Sequence, residues 1–192
     1  PGGWGTRKLQ DSPEWNSIIS GIRSEIESAG YRVIVLNYHR TYEDFRSKLN
    51  ELKEMFTGYP NKAKDLSGFV NFLTSHQPGL NVILAGESTG TVICDNAMIW
   101  LQDNDRVYSI QTGSPFWHRN YLSQRTLLVN DNGIVPDSFS KGDIITIIKS
   151  SFRNALGLNE ADEGTVLNVF SAPGHQYWWQ NPGVYTAIES FL

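Results

Sequence analysis

Gly86-Glu87-Ser88-Thr89-Gly90 stands directly after the apolar run Val82–Ala85 and directly before a second apolar stretch that opens at Thr89. This is the form G-x-S-x-G, and its chemistry explains its spacing. A serine held on a very tight strand-to-helix bend has its hydroxyl pushed out at the carboxyl edge of a sheet. Side chains two residues before and two after it would collide, so glycine is needed at both places. The bend also turns the amide of Thr89 toward the same point, at a helix N-terminus. A serine hydroxyl becomes a useful nucleophile only when a nearby base takes its proton. His175 lies in Ala172-Pro173-Gly174-His175-Gln176-Tyr177-Trp178, where proline and glycine would stiffen the turn that presents the ring. Among the other histidines, His118 is the second choice as base, His76 falls at a helix end, and His39 ends an earlier strand where it would line a pocket. A phosphate-binding loop is the rival reading of the glycines. It fails, because no lysine follows Gly90 and the G-x-x-x-x-G spacing is missing.

To bring residues 88 and 175 together, the chain needs a sheet whose strands end on one side. Short β-branched runs do alternate with longer runs of helical spacing, the βαβ pattern of a parallel sheet. Ser12 as N-cap, Pro13 at the first helical position and Gly30 as terminator bracket a helix whose stripe is Trp15, Ile18, Ile19, Ile22 and Ile26. RVIVLN (32–37) reads as a mostly buried strand, and 41–56 as a polar, helix-prone stretch. A second helix runs from 61 to 76, with Leu66, Phe69, Val70 and Leu73 facing inward. NVILA (81–85) is the central strand and 89–102 the helix after it. Strands follow at 107–111 and 126–129, then a helix at 144–156 closed by Gly157, although its start DIITII also reads as extended. A last strand at 166–170 and a last helix at 184–192 complete the pattern.

GESTG between a hydrophobic strand and a helix resembles the nucleophile elbow of the α/β-hydrolase esterases and lipases, and the likeness covers nearly the whole chain. It implies an α/β fold: one domain over 1–192 with a mostly parallel central sheet and helices on both faces. The segments between core strands are short, so no large lid is expected. That family carries its catalytic histidine on the loop after the last strand, which is the position of His175. Pro1-Gly2-Gly3-Trp4-Gly5 is similar to the family's H-G-G-type oxyanion loop, with proline where histidine often stands. The likeness assigns the oxyanion donors to Gly3 or Trp4 and to Thr89. The strand that should precede such a loop does not occur in the sequence, so residues upstream of Pro1 are expected. Family order is serine, acid, histidine, which places the acid after strand 126–129. That loop, NDNGIVPD, resembles the common D-G-[IV]-V-P turn but has Asn132 at the aspartate's place. Asp131 is the first choice as acid. Asp137, beyond the proline, and a site with no carboxylate in which Asn132 orients the ring are the alternatives.

The implied reaction is acyl transfer to Ser88 and hydrolysis of the acyl-enzyme, needing no cofactor. The expected partner is a small-molecule ester with a modest apolar group, held by aromatic walls that include Phe116, Trp117 and Tyr177, with His39 in the pocket. Thioesterase, lipase or acyltransferase chemistry on the same fold, a catalytically silent binding module, and a nucleotide-binding domain are the competing readings. Composition narrows the field. The chain has 192 residues, 40% hydrophobic and 19% charged, with net charge −4, which fits one globular domain. No Lys/Arg cluster marks a nucleic-acid surface, and no apolar run reaches the roughly 18 residues that cross a bilayer. The histidines are scattered and Cys94 is the only cysteine, so no metal-binding array and no intrachain disulfide is expected.

Overall fold

A computed structural model describes residues 9–38, 53–55, 57–156, 165–166 and 170–192. After a 3-10 turn at Leu9–Asp11, helix α1 (Pro13–Ser28) begins where Pro13 was expected to start it, although the Ser12 side chain makes no cap bond. Then follow α2 (Pro60–His76), β1 (Val82–Glu87), α3 (Thr89–Trp100), β2 (Val107–Thr112), β3 (Thr126–Val129), α4 (Ser138–Lys141), α5 (Ile144–Ala155), β4 (Thr165–Val166), β5 (Phe170–Ser171) and α6 (Pro182–Phe191).

The architecture is α/β. Strands β1, β2 and β3 form a parallel sheet in sequence order, with Val82 opposite Val107 and Ser109 opposite Thr126. Alternation of side chains along a strand decides which face each residue serves. Leu84 and Val107 join the cluster of Leu66, Val70, Val92, Ala97 and Met98 from α2 and α3. Ile83, Ala85 and Ile110 join the opposite cluster of Trp15, Ile18, Ile22, Val184 and Ile188 from α1 and α6. Helices therefore cover both faces, as expected. The inward stripe of α1 is the expected one, with Trp15, Ile18 and Ile22 buried. In α2, Leu66 and Val70 are buried but Phe69 is 50% exposed. Among the described residues no helix is long and apolar enough to cross a membrane.

Two expected strands differ. Residues 32–37 form no strand, and Ile34 and Leu36 are exposed. A β-branched run becomes a strand only when it finds a ladder partner, and none is present for it among the described residues. The expected strand 166–170 is instead two short pieces, β4 and β5, paired antiparallel with each other apart from the main sheet. The start of 144–156 is helical: Asp143 caps it by accepting from the Thr146 amide. Most of the helix-prone stretch 41–56 lies outside the described residues.

Candidate active site

The carboxyl ends of β1, β2 and β3 meet at one edge, where loops of a parallel sheet collect their functional groups. Ser88 follows β1 there, in the left-handed half of backbone space with φ 52° and ψ −124°. Such a conformation costs a non-glycine residue about 1–3 kcal/mol and persists only where the surroundings enforce it. The enforcement is visible. The Ser88 amide donates to the Thr112 carbonyl at 2.9 Å, and α3 begins at the next residue. A methyl group on Gly86 would stand 2.8 Å from both Cys94 Sγ and the Gly90 carbonyl oxygen, so the bend closes only around glycine. Thr89 opens α3 and is buried, which puts its amide at the helix N-terminus beside Ser88.

His175 reaches the same edge from the other end of the chain. Its ring packs over Gly113, the residue after β2: a methyl there would come within 2.6 Å of Cε1. Gly113, at φ 64°, thus serves both as a left-handed turn and as the floor on which the imidazole rests. Because Ser88 is bonded to Thr112 and His175 lies on Gly113, both flank the same end of β2. Ser88 is 4% and His175 7% exposed. The loops after β2 and β3 are tied together, with the Ser114 amide donating to Asn130 Oδ1.

The carboxylate behind the ring is Asp137, not Asp131. Asp137 Oδ2 lies 2.9 Å from His175 Nδ1. Asp131 is an exposed side chain that accepts from the Gly133 amide and faces Lys141 at 3.8 Å. The loop path explains the difference. Asp131 and Pro136 pair across a narrow turn, and the chain then runs into α4, where Ser138 donates from its amide and its hydroxyl to the Pro173 carbonyl. This clasp carries Asp137 under the histidine loop. Asp137 is fully buried and accepts five hydrogen bonds: Oδ1 from the Phe139 and Ser140 amides, Oδ2 from Ser140 Oγ, Tyr177 Oη and His175.

Burial alone would raise the Asp137 pKa. The bond and charge of His175, with the Tyr177 and Ser140 hydroxyls, overcome it and hold the carboxyl at about 2. Asp137 is therefore an anion and an acceptor, so the His175 Nδ1 that faces it carries a proton. Since the folded value lies below the ordinary 3.8, this carboxylate stabilises the fold above about pH 4. The contribution, about 2 kcal/mol, is lost as pH falls toward 2. Urea unfolding at pH 6 and pH 2.5 checks it: Asp137→Asn should flatten this part of the pH dependence.

Asn132 makes no hydrogen bond to the His175 ring. It is buried, accepts from the Ile134 and Val135 amides, and donates to the Gly174 and Gln176 carbonyls on either side of His175. It is a bracket for the histidine loop. Asn132→Ala would strand those carbonyls, and we expect a loss of about 1–3 kcal/mol in urea unfolding, with the slope against urea unchanged.

Tyr177 was expected as a pocket wall, and the structure corrects this. It is 0% exposed and sits behind His175, its hydroxyl 2.6 Å from Asp137 Oδ2. Burial, then the charge of Asp137, pushes the phenol pKa up, so it stays a donor. Phe116 and Trp117 connect to the His175 ring through Phe139. Phe116 packs edge-on to Trp117, Trp117 to Phe139, and Phe139 to the His175 ring, with centroids 5.0, 5.3 and 4.8 Å apart. His118, the second choice as base, is held instead by Asp95 of α3, with Nε2 2.9 Å from Oδ2. Gly3, Trp4 and His39 lie outside the described residues. Among the described residues no cluster of His, Cys, Asp and Glu is arranged to hold a metal.

The residues that sequence reasoning undervalued are Asp137, Tyr177 and Gly113. Asp137 did leave a signal: Asp before Ser-Phe-Ser-Lys is a helix N-cap pattern, and a capping aspartate is fixed in place. Comparisons with protein-family models, with curated proteins and with solved structures found no match.

Proposed function

We propose that this chain is a serine hydrolase of the α/β-hydrolase type, cleaving a carboxylic ester or thioester through an acyl-enzyme on Ser88. The observation that carries the reading is that a serine held at φ 52° and an imidazole whose Nδ1 is bonded to a buried carboxylate both stand at the same end of β2, against Thr112 and Gly113. Backbone strain of this kind on a buried serine has a purpose when the hydroxyl must project toward a base.

In this reading Ser88 Oγ attacks the acyl carbon and its proton passes to His175 Nε2. Asp137 stabilises the resulting imidazolium through Nδ1. The Thr89 amide, at the start of α3, donates to the oxyanion. The acyl–oxygen bond of an ester, or the acyl–sulfur bond of a thioester, then breaks and the leaving alkoxide or thiolate takes the proton from Nε2. Water repeats the sequence on the acyl-enzyme, returning Ser88 and releasing the acid. No step draws on Asp131.

Pre-steady-state turnover of p-nitrophenyl esters of graded acyl length tests the proposal. We expect a burst approaching one equivalent of p-nitrophenol per chain, followed by a slower steady rate, because acylation precedes deacylation. Absence of turnover across the whole series would overturn it.

A further inference from the structure

Helix α5 turns the usual rule of amphipathic helices inside out. Its inward face is carried by serines. Ser150 is buried with Oγ 2.7 Å from Ser171 Oγ, and Ser151 Oγ accepts from the Ser171 amide at 2.9 Å. Only Ile147 packs inward, against Phe139 and Ala172. The outward face holds Ile144, Ile145, Ile148, Phe152 and Leu156, each between 51% and 67% exposed. At 100° per residue these five occupy one arc of about 120°. The exposed cations Lys149 and Arg153 follow at its border; residues 144–156 contain no acid, and the exposed N-cap Asp143, which feels the charge of Lys149, stands just before them. Phe116, 44% exposed, extends the patch across Gly142, where a methyl group would touch its ring at 3.1 Å. Single exposed apolar residues need no explanation, but a contiguous stripe of this size does.

We propose that this face of α5 is a docking surface for an anionic lipid membrane, lying in the interface with its isoleucines and Phe152 among the acyl chains and Lys149 and Arg153 at the headgroups. Charge chooses this occupant. The chain as a whole carries −4, which disfavours approach to an anionic surface, yet the helix itself sets two cations, Lys149 and Arg153, and no acid beside the apolar arc, with Asp143 confined to its N-cap. Arrangement of cations beside an apolar arc is what an interfacial helix requires. Position adds to this. Ile147, on the inner side of α5, touches Phe139, whose ring packs on His175, so one ring separates the helix that carries the docking face from the candidate site. The inference goes beyond the hydrolase reading and does not depend on it.

The test is co-sedimentation of the Ser88→Ala chain with vesicles, either pure phosphatidylcholine or phosphatidylcholine mixed with phosphatidylglycerol. Binding to the mixed vesicles that weakens with added salt is expected. A double change, Ile148→Ser with Phe152→Ser, should lower it by about tenfold or more, and Lys149→Glu with Arg153→Glu should abolish the preference for phosphatidylglycerol. All four side chains are exposed, so thermal unfolding should stay within a few degrees of the parent. Failure of the parent chain to sediment with mixed vesicles would overturn the proposal. So would binding unchanged in the Ile148/Phe152 variant, or sedimentation equilibrium showing a dimer that this variant dissolves.

Discussion

Ser88→Ala should lower ester turnover by about three to six orders of magnitude while leaving the chain folded. In serine hydrolases the nucleophile and its base act as a unit, and loss of either leaves only what binding and oxyanion stabilisation contribute. The same loss is expected of His175→Ala. The fold should survive the serine change, because the bend is held by backbone contacts: the Ser88 amide on Thr112, and Gly86 against Gly90 and Cys94. Alanine at φ 52° meets the same backbone cost that serine already bears. Turnover of a p-nitrophenyl ester and thermal unfolding, measured together, check both halves. Activity within tenfold of the parent would exclude Ser88 as nucleophile.

Asp137→Asn should lower kcat by about 10⁴-fold, whereas Asp131→Asn should change it less than about twofold. The reason is tautomeric. Oδ2 of Asp137 accepts from His175, Tyr177 and Ser140. Its other oxygen is committed to two backbone amides of α4. In asparagine the carbonyl keeps those amides, and the amide nitrogen meets His175. Two donors then face each other unless the imidazole moves its proton to Nε2, where it can no longer take one from Ser88. Asp131 makes only an exposed turn bond and a distant contact with Lys141, and exposed pairs of this kind contribute little. Steady-state kinetics on the two variants separates them. A large loss with Asp131→Asn and none with Asp137→Asn would reverse the assignment.

Ser88 and the helices are legible in the sequence because their signals are local. Glycine at 86, a strand before it and an apolar helix after it are all within a few residues, and the stripe from Trp15 to Ile26 needs no knowledge of the partner it packs against. The strand expected at 32–37 depends on a neighbour that sequence does not supply. The carboxylate beside His175 is hidden for a related reason. The loop pattern around Asn132 favours Asp131, but the turn from Asp131 to Pro136 and the clasp of Ser138 on Pro173 bring a later residue under the ring. In the sequence alone Tyr177, two residues after His175, reads as an aromatic pocket wall. Its burial and its bond to Asp137 are visible only once both loops are in place. Gly113 makes no motif, since its purpose is the space it leaves for a ring that is remote in sequence.

A fluorophosphonate probe, with the adduct located by peptide mass spectrometry, reads out whether His175 and Asp137 make the hydroxyl of Ser88 nucleophilic. We expect one adduct per chain, on Ser88, formed quickly in the parent, slowed about a hundredfold or more in Asp137→Asn, and absent in His175→Ala. An adduct on another residue, or labelling of Ser88 at the same rate in all three proteins, would contradict that activation.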